Sequence, residues 1–183
     1  MKRFVALFAM LAGLLVPLTM TTAPAAQAYC PPPDGQSEVI YKFRNADYRY
    51  YPTNIKSDWV VFPNGGSISY SRTKTMEVNA SVTATAEAEA GIIFAKASAS
   101  LAVTVGGSYS QSQQWTYTAN VPADRDHKRR LHSYHYTVSF DVMKKRWNRS
   151  DCTYKNAWGR WQRIKHAPAK ADRNVWRVDK APA

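Results

Sequence analysis

The chain is organised around residues 67–121, which read SISYSRTKTMEVNASVTATAEAEAGIIFAKASASLAVTVGGSYSQSQQWTYTANV. From Met76 to Phe94 every even position is apolar, while the odd positions up to Glu89 are polar. From Ala95 to Val105 the odd positions are apolar instead. A period of two places alternate side chains on opposite faces of a strand. The pattern therefore predicts two strands of opposite phase.

The two predicted strands meet at Gly91, Ile92, Ile93 and Phe94, where a four-residue bend would join them into a hairpin. Each arm would be about 25 residues long, or roughly 80 Å at about 3.3 Å per residue, which is longer than ordinary strands. We therefore expect an elongated molecule with a long twisted antiparallel hairpin. The predicted register sets Glu89 opposite Lys96, Val82 opposite Val103, Met76 opposite Tyr109 and Tyr70 opposite Trp115.

An alanine-rich helix over Ala84–Ala102 is the alternative interpretation, because alanine is a strong helix former. Strict alternation would scatter Glu87, Glu89 and Lys96 around such a helix, and serine, threonine and valine favour strands. We therefore expect strand here, and an all-β fold in a single domain, the long hairpin spanning residues 67–121.

The first 28 residues have the organisation of a secretory signal peptide. Lys2 and Arg3 precede an apolar run from Phe4 to Met20, and Ala26-Gln27-Ala28 is a small-x-small cleavage site. We expect a secreted, extracellular protein comprising residues 29–183, without a membrane anchor.

Export favours a disulfide between Cys30 and Cys152, the two cysteines of the sequence. Free thiols or an intermolecular bond are the alternatives.

The formal net charge is +12 at pH 7, and a secreted protein this basic tends to meet anionic surfaces. The alternative is that the positive charge serves solubility alone. The cationic and aromatic residues predicted to bind such a surface are Lys128, Arg129, Arg130, Lys144, Lys145, Arg146, Trp147, Arg160 and Trp161. Tryptophan suits a membrane interface or stacking on sugars, although a structural core of tryptophan is equally consistent.

Further strands are predicted where apolar residues alternate, the clearest from Tyr134 to Val142. From about His166 the sequence is rich in alanine, proline and lysine, which predicts a loose tail apart from residues 175–178.

Catalytic and metal-binding motifs are not found in the sequence. The four histidines lack metal-ligand spacing, and no serine lies in a nucleophile elbow. We therefore predict a protein that is not an enzyme and binds no cofactor or metal. Nucleic acid is not a predicted partner, because no RNP-like or OB-like signature is present.

Residues 67–121, with their serine- and threonine-lined arms, apolar tip and closing Val121-Pro122-Ala123, resemble the aerolysin-type β-pore-forming family. The resemblance extends over roughly residues 67–146. It implies membrane-crossing strands at Met76–Ala90 and Ala95–Tyr109, with Gly91, Ile92, Ile93 and Phe94 leading the insertion. The charged side chains Glu87, Glu89 and Lys96 would face the lumen or pair across the strands. No separate receptor-binding domain is evident.

Two functions follow as hypotheses. One is a secreted cationic toxin that binds a membrane, oligomerises and forms a pore. The other is a non-lytic binding or adaptor module, such as a subunit of a larger antagonistic toxin assembly or a cell-wall binder.

Overall fold

The computed structural model describes residues 30–183, so the predicted signal peptide at residues 1–28 lies outside the described residues. The predicted all-β fold is confirmed, with eight strands and two short helices in the described part of the chain. In chain order the elements are β1 (Val39–Lys56), β2 (Val60–Phe62), β3 (Gly66–Asn79), α1 (Ala84–Glu87), α2 (Ala90–Ser100), β4 (Ser108–Val121), β5 (Asp124–Asn148), β6 (Thr153–Asn156), β7 (Gln162–Pro168) and β8 (Asn174–Pro182).

Strand β5 is the centre of the larger sheet. It has 25 residues, which is about 80 Å of extended chain. One edge pairs with β2 and then β1, and the other pairs in turn with β8, β7 and β6, all antiparallel. The predicted strand from Tyr134 to Val142 is thus the middle of a much longer one.

The prediction of a loose tail from about His166 is wrong. Strand β7 extends to Pro168, and β8 pairs with β5 from His127↔Pro182 to His135↔Asn174. The physical reason is the free edge that β5 offers beyond β7, together with burial of Trp176 and Val178 against the ribbon described next.

Strands β3 and β4 form a two-stranded antiparallel ribbon. Its register differs by two residues from the predicted one, since Tyr70 lies opposite Tyr117 rather than Trp115, and Tyr109 lies opposite Val78 rather than Met76. A shift of two residues keeps every side chain on its predicted face. Serine and threonine therefore occupy the outer face, where Ser69 and Thr118 hydroxyls are 2.8 Å apart.

The prediction that residues 84–102 form strands is wrong, because α1 and α2 occupy this segment. The predicted pairs Glu89–Lys96 and Val82–Val103, and the continuous strands at Met76–Ala90 and Ala95–Tyr109, are therefore not formed. The buried side chains in this segment are Ala86, Ile93, Phe94 and Ala97. In α2, Ala97 lies four residues after Ile93 and three after Phe94, so these three side chains define one helical face, and alanine favours helix.

Two hydrophobic cores lie on opposite faces of β5. Side chains alternate along a strand, and Leu131 packs in a core with the β3–β4 ribbon. Val138 and Phe140 have even residue numbers and therefore face the other side of β5, where they pack with the α1–α2 segment. The sheet is therefore covered on one side by the ribbon and on the other by the helices.

The predicted disulfide between Cys30 and Cys152 is confirmed, with the Cα atoms 5.8 Å apart. It joins residues 122 positions apart in sequence and ties the start of the described chain to the turn between β5 and β6. This turn adjoins the groove described below.

Candidate anion-binding groove

A groove of about 520 Å³ lies where β5 ends and β6 pairs with it. Ligand sites are commonly clefts of about 300–1,000 Å³. The residues that line it are mostly cationic or aromatic: Lys144, Arg146, Trp147, Asn148, Arg149, Lys155, Asn156, Ala157 and Trp158. We call this the cationic groove.

Strand pairing concentrates positive charge in the cationic groove. Arg146 lies directly opposite Lys155 in the β5–β6 register, and like charges in cross-strand positions are destabilising. The charge of Lys155 is balanced by an ion pair with the Asp151 carboxylate, 2.7 Å away on the exposed turn. Arg146 has no carboxylate within salt-bridge distance anywhere between Cys30 and Ala183, and it is exposed. The arrangement therefore leaves a guanidinium available to an anion.

Two tryptophans form the apolar parts of the cationic groove. The indole N–H of Trp147 donates to the Cys30 carbonyl oxygen at 2.8 Å, and its ring meets Tyr154 edge-on at 4.9 Å between centroids. The Trp158 ring meets Tyr41 edge-on at 6.3 Å. Both rings are half-buried, so the groove offers aromatic surface beside its charges.

Lys144 joins the cationic groove to the helical segment. Its ammonium group forms an ion pair with Glu89, at the junction of α1 and α2. The Tyr41 hydroxyl donates to the other Glu89 oxygen at 2.6 Å. We call the contacts of Glu89 with Lys144 and Tyr41 the Glu89 latch.

The Glu89 latch shifts the pKa of both acidic groups. Burial alone would raise the pKa of Glu89, but the hydrogen bonds from Lys144 and Tyr41 outweigh it and hold that pKa below its ordinary value. Burial, followed by the hydrogen bond to the Glu89 carboxylate, raises the pKa of Tyr41 to about 12. Glu89 is therefore a carboxylate and Tyr41 a neutral donor at neutral pH.

The structure places the other predicted cationic residues elsewhere. Arg130 is about 45 Å from Lys144 along β5, at about 3.3 Å per residue, and it pairs with Asp179 at 3.0 Å. Arg129 pairs with Asp124 at 2.7 Å.

The remaining predicted cationic residues do not face the groove. Lys145 points to the opposite face of β5 from its two neighbours. Lys128, at the far end of β5, and Arg160 and Trp161, in the segment before β7, do not line the groove.

The residues predicted to lead a membrane insertion lie in α2 instead. Ile93 and Phe94 are 0% and 7% exposed in the core, whereas Ile92 is 54% exposed. Gly91 is in the first turn of α2. Of the three predicted lumen charges, Glu87 and Lys96 are exposed on the helices, and Glu89 faces Lys144.

Composition identified Lys144, Arg146 and Trp147, but sequence reasoning missed Lys155, Trp158 and the role of Tyr41. Lys155 and Trp158 reach the groove because β6 pairs with the basic end of β5, a pairing that the sequence pattern did not indicate. Nothing in the sequence pattern placed Tyr41 beside Glu89.

No protein-family model, curated protein or solved structure matches this chain. The resemblance to the aerolysin-type family therefore stays a prediction made from the residues. Within residues 30–183, no helix is long and apolar enough to cross a membrane. The same residues contain no cluster of histidine, cysteine or acidic side chains that could hold a metal ion.

Proposed function

We propose that this protein is a secreted, non-lytic binding module that attaches to an anionic surface, a cell-surface polymer or a membrane, through the cationic groove. The observation that carries the proposal is the exposed Arg146, set opposite Lys155 and beside two tryptophan rings. The proposal includes neither catalysis nor a cofactor.

Solubility alone would not require this arrangement. Cations that serve only solubility are best dispersed, because like charges repel. Here strand pairing places two of them in register, next to aromatic surface. The disulfide is compatible with export, where anionic surfaces are met.

Binding of the mature chain to vesicles tests the proposal. We expect binding to vesicles that contain anionic lipid and none to zwitterionic vesicles, with affinity falling as salt rises. Arg146→Ala should weaken binding roughly fivefold, since a cation near an anionic surface contributes about 1 kcal/mol.

The matched control is Lys42→Ala, which removes the same charge from an exposed position on β1 outside the groove. An equal loss in both variants would show that net charge, rather than the groove, governs binding. The proposal would then be abandoned.

The second candidate is an oligomerising pore-forming protein of aerolysin-like type, alone or within a larger secreted assembly. The observation that favours it is the α1–α2 segment, which alternates with a period of two although it is folded as helix. It is flanked by β3 and β4, so extension would lengthen the ribbon into a hairpin long enough to cross a bilayer.

Dye release from anionic liposomes distinguishes the two candidates. Pore formation requires Ile93 and Phe94 to leave the core, so Gly91→Ala, which favours the helix, should slow leakage. No leakage at micromolar protein would exclude the lytic function and leave the binding function standing.

A further inference from the structure

We infer that the cationic groove binds a phosphate-type oxyanion group, and that the bound anion takes Lys144 from Glu89 and so loosens the α1–α2 segment. The inference rests on the proposed binding function and assigns it a ligand class and a conformational consequence. The observation behind it is that Lys144 both lines the cationic groove and forms the ion pair of the Glu89 latch.

The ligand class follows from the donors that the groove presents. Lys144, Arg146 and Lys155 are cations on adjacent strands, and together they suit a group with three or more acceptor oxygens. A phosphate has that many, whereas a carboxylate has two oxygens. The tryptophan rings beside them leave room for the carrier of the oxyanion.

The α1–α2 segment depends on few polar ties to the sheet. Among the described residues, side-chain hydrogen bonds from residues 83–100 to the sheet are those of Glu89 to Tyr41 and Lys144, and that of Thr83 to Gln162 at 2.9 Å. The buried side chains of the segment include two alanines, which bury little area. The other two, Ile93 and Phe94, supply the main apolar contacts of the segment, and the Glu89 latch supplies two of the three side-chain hydrogen bonds to the sheet among the described residues.

Competition between the bound anion and Glu89 for Lys144 couples the cationic groove to the α1–α2 segment. The Lys144 ammonium has three N–H donors. If they reorient towards a doubly charged anion, the partly buried Glu89 carboxylate keeps one hydrogen-bond donor, the Tyr41 hydroxyl, and the more distant charge of Arg146, which the anion also engages. An ionised group that loses its partner in such a place is destabilised. Local opening of α1–α2, which re-exposes Glu89 to water, relieves that cost.

Hydrogen exchange with sodium polyphosphate as the probe tests the coupling in the mature protein. At saturating probe we expect amide exchange in residues 84–100 to rise about fivefold or more, with no change in β5. Inorganic phosphate at the same total phosphorus forms the second arm. An equal effect supports a free ion as ligand, and a stronger effect of polyphosphate supports a chain.

Glu89→Gln removes the charge that competes for Lys144. Coupling is reciprocal, so this variant should exchange faster without the probe, respond little to it, and bind it about fivefold more tightly. The matched control is Glu87→Gln, two residues earlier at an exposed site, which should behave as wild type in all three respects. Equal affinities in the two variants would overturn the inference.

Tyr41→Phe provides a second variant that keeps the Lys144–Glu89 pair. Because Glu89 then lacks its other donor, we expect a larger exchange response at the same probe concentration. Tight binding of the probe without faster exchange in residues 84–100 would refute the coupling but leave the binding function intact. Absence of binding to either probe would refute the inference, whereas the proposed binding function fails only if the protein also does not bind vesicles that contain anionic lipid.

Discussion

The Phe94 ring lies against Gly107, so closely that a Cβ on the glycine would come within 3.1 Å of the ring. The close approach brings the chain after α2 back across the helix and lets Phe94 fill the core. Gly107 thus serves helix packing, whereas the sequence pattern predicts a continuous strand at this position.

Gly107→Ala should destabilise the protein by about 1 kcal/mol, the lower end for overpacking a core, because Phe94 must shift to make room. Gly91→Ala is the control, since nothing lies within 4 Å of the added Cβ. Because Gly91 lies in a helix, Gly91→Ala should raise the free energy of unfolding by about 0.5 kcal/mol. Urea unfolding measures both, and a stabilising Gly107→Ala would contradict the packing described.

Ile93→Ala should reduce the free energy of unfolding by about 3 kcal/mol, because Ile93 is fully buried. Its neighbour Ile92 is 54% exposed, and Ile92→Ala should change the free energy by about 0.5 kcal/mol or less. Chemical denaturation of the two variants compares them directly. Similar effects would show that α2 does not present this face to the sheet.

Asp179 links β8 to β5 through three donors, Tyr134 at 2.7 Å, His132 at 2.8 Å and Arg130 at 3.0 Å. Burial would raise the pKa of Asp179, but these hydrogen bonds outweigh it and hold the pKa below its ordinary value. A lowered folded-state pKa stabilises the protein above the unfolded value, about 3.9, and this contribution is lost as the pH falls below that value through the folded-state pKa.

Asp179→Asn should therefore lower the free energy of unfolding by about 2 kcal/mol at pH 7, and by progressively less below pH 4. Urea denaturation at a series of pH values measures the difference from wild type. The exposed Asp58 provides the control, and Asp58→Asn should leave the pH profile unchanged. A difference from wild type that stays constant down to pH 2 would contradict the prediction.

Reduction of the Cys30–Cys152 bond should lower the melting temperature. A cross-link between residues 122 positions apart contributes about 5 kcal/mol in the chain-entropy account. Calorimetry with and without reductant measures the loss, and a Cys30→Ser, Cys152→Ser double variant should be insensitive to the reductant. An unchanged melting temperature would show that the bond does not stabilise the fold.

Local pattern predicted most of the strands and the faces of the ribbon, because alternation is itself a local property. It was wrong for residues 84–102, since alternate alanines suit the buried face of a strand and of a helix alike. The larger residues Ile93 and Phe94, with Ala97 four positions after Ile93, carried the helical spacing. The alternating pattern instead assigns Ile93 and Phe94 to a bend between two strands.

Composition predicted the cationic residues of the site but not its geometry. Arg146 faces Lys155 because of the β5–β6 register, and Glu89 faces Lys144 because α1–α2 folds back onto the sheet. Neither contact follows from residues that are close in sequence. The same limit applies to β8, whose place depends on an edge of β5 left free by β7.

The position of β5 has a consequence for the time course of folding. Its partners come from both ends of the chain, from Val39↔Arg146 with β1 to His127↔Pro182 with β8. Pairings this distant in sequence form slowly, typically over milliseconds to seconds. A nascent chain therefore cannot complete the central sheet until translation has passed residue 182, however early the strands before it have been made.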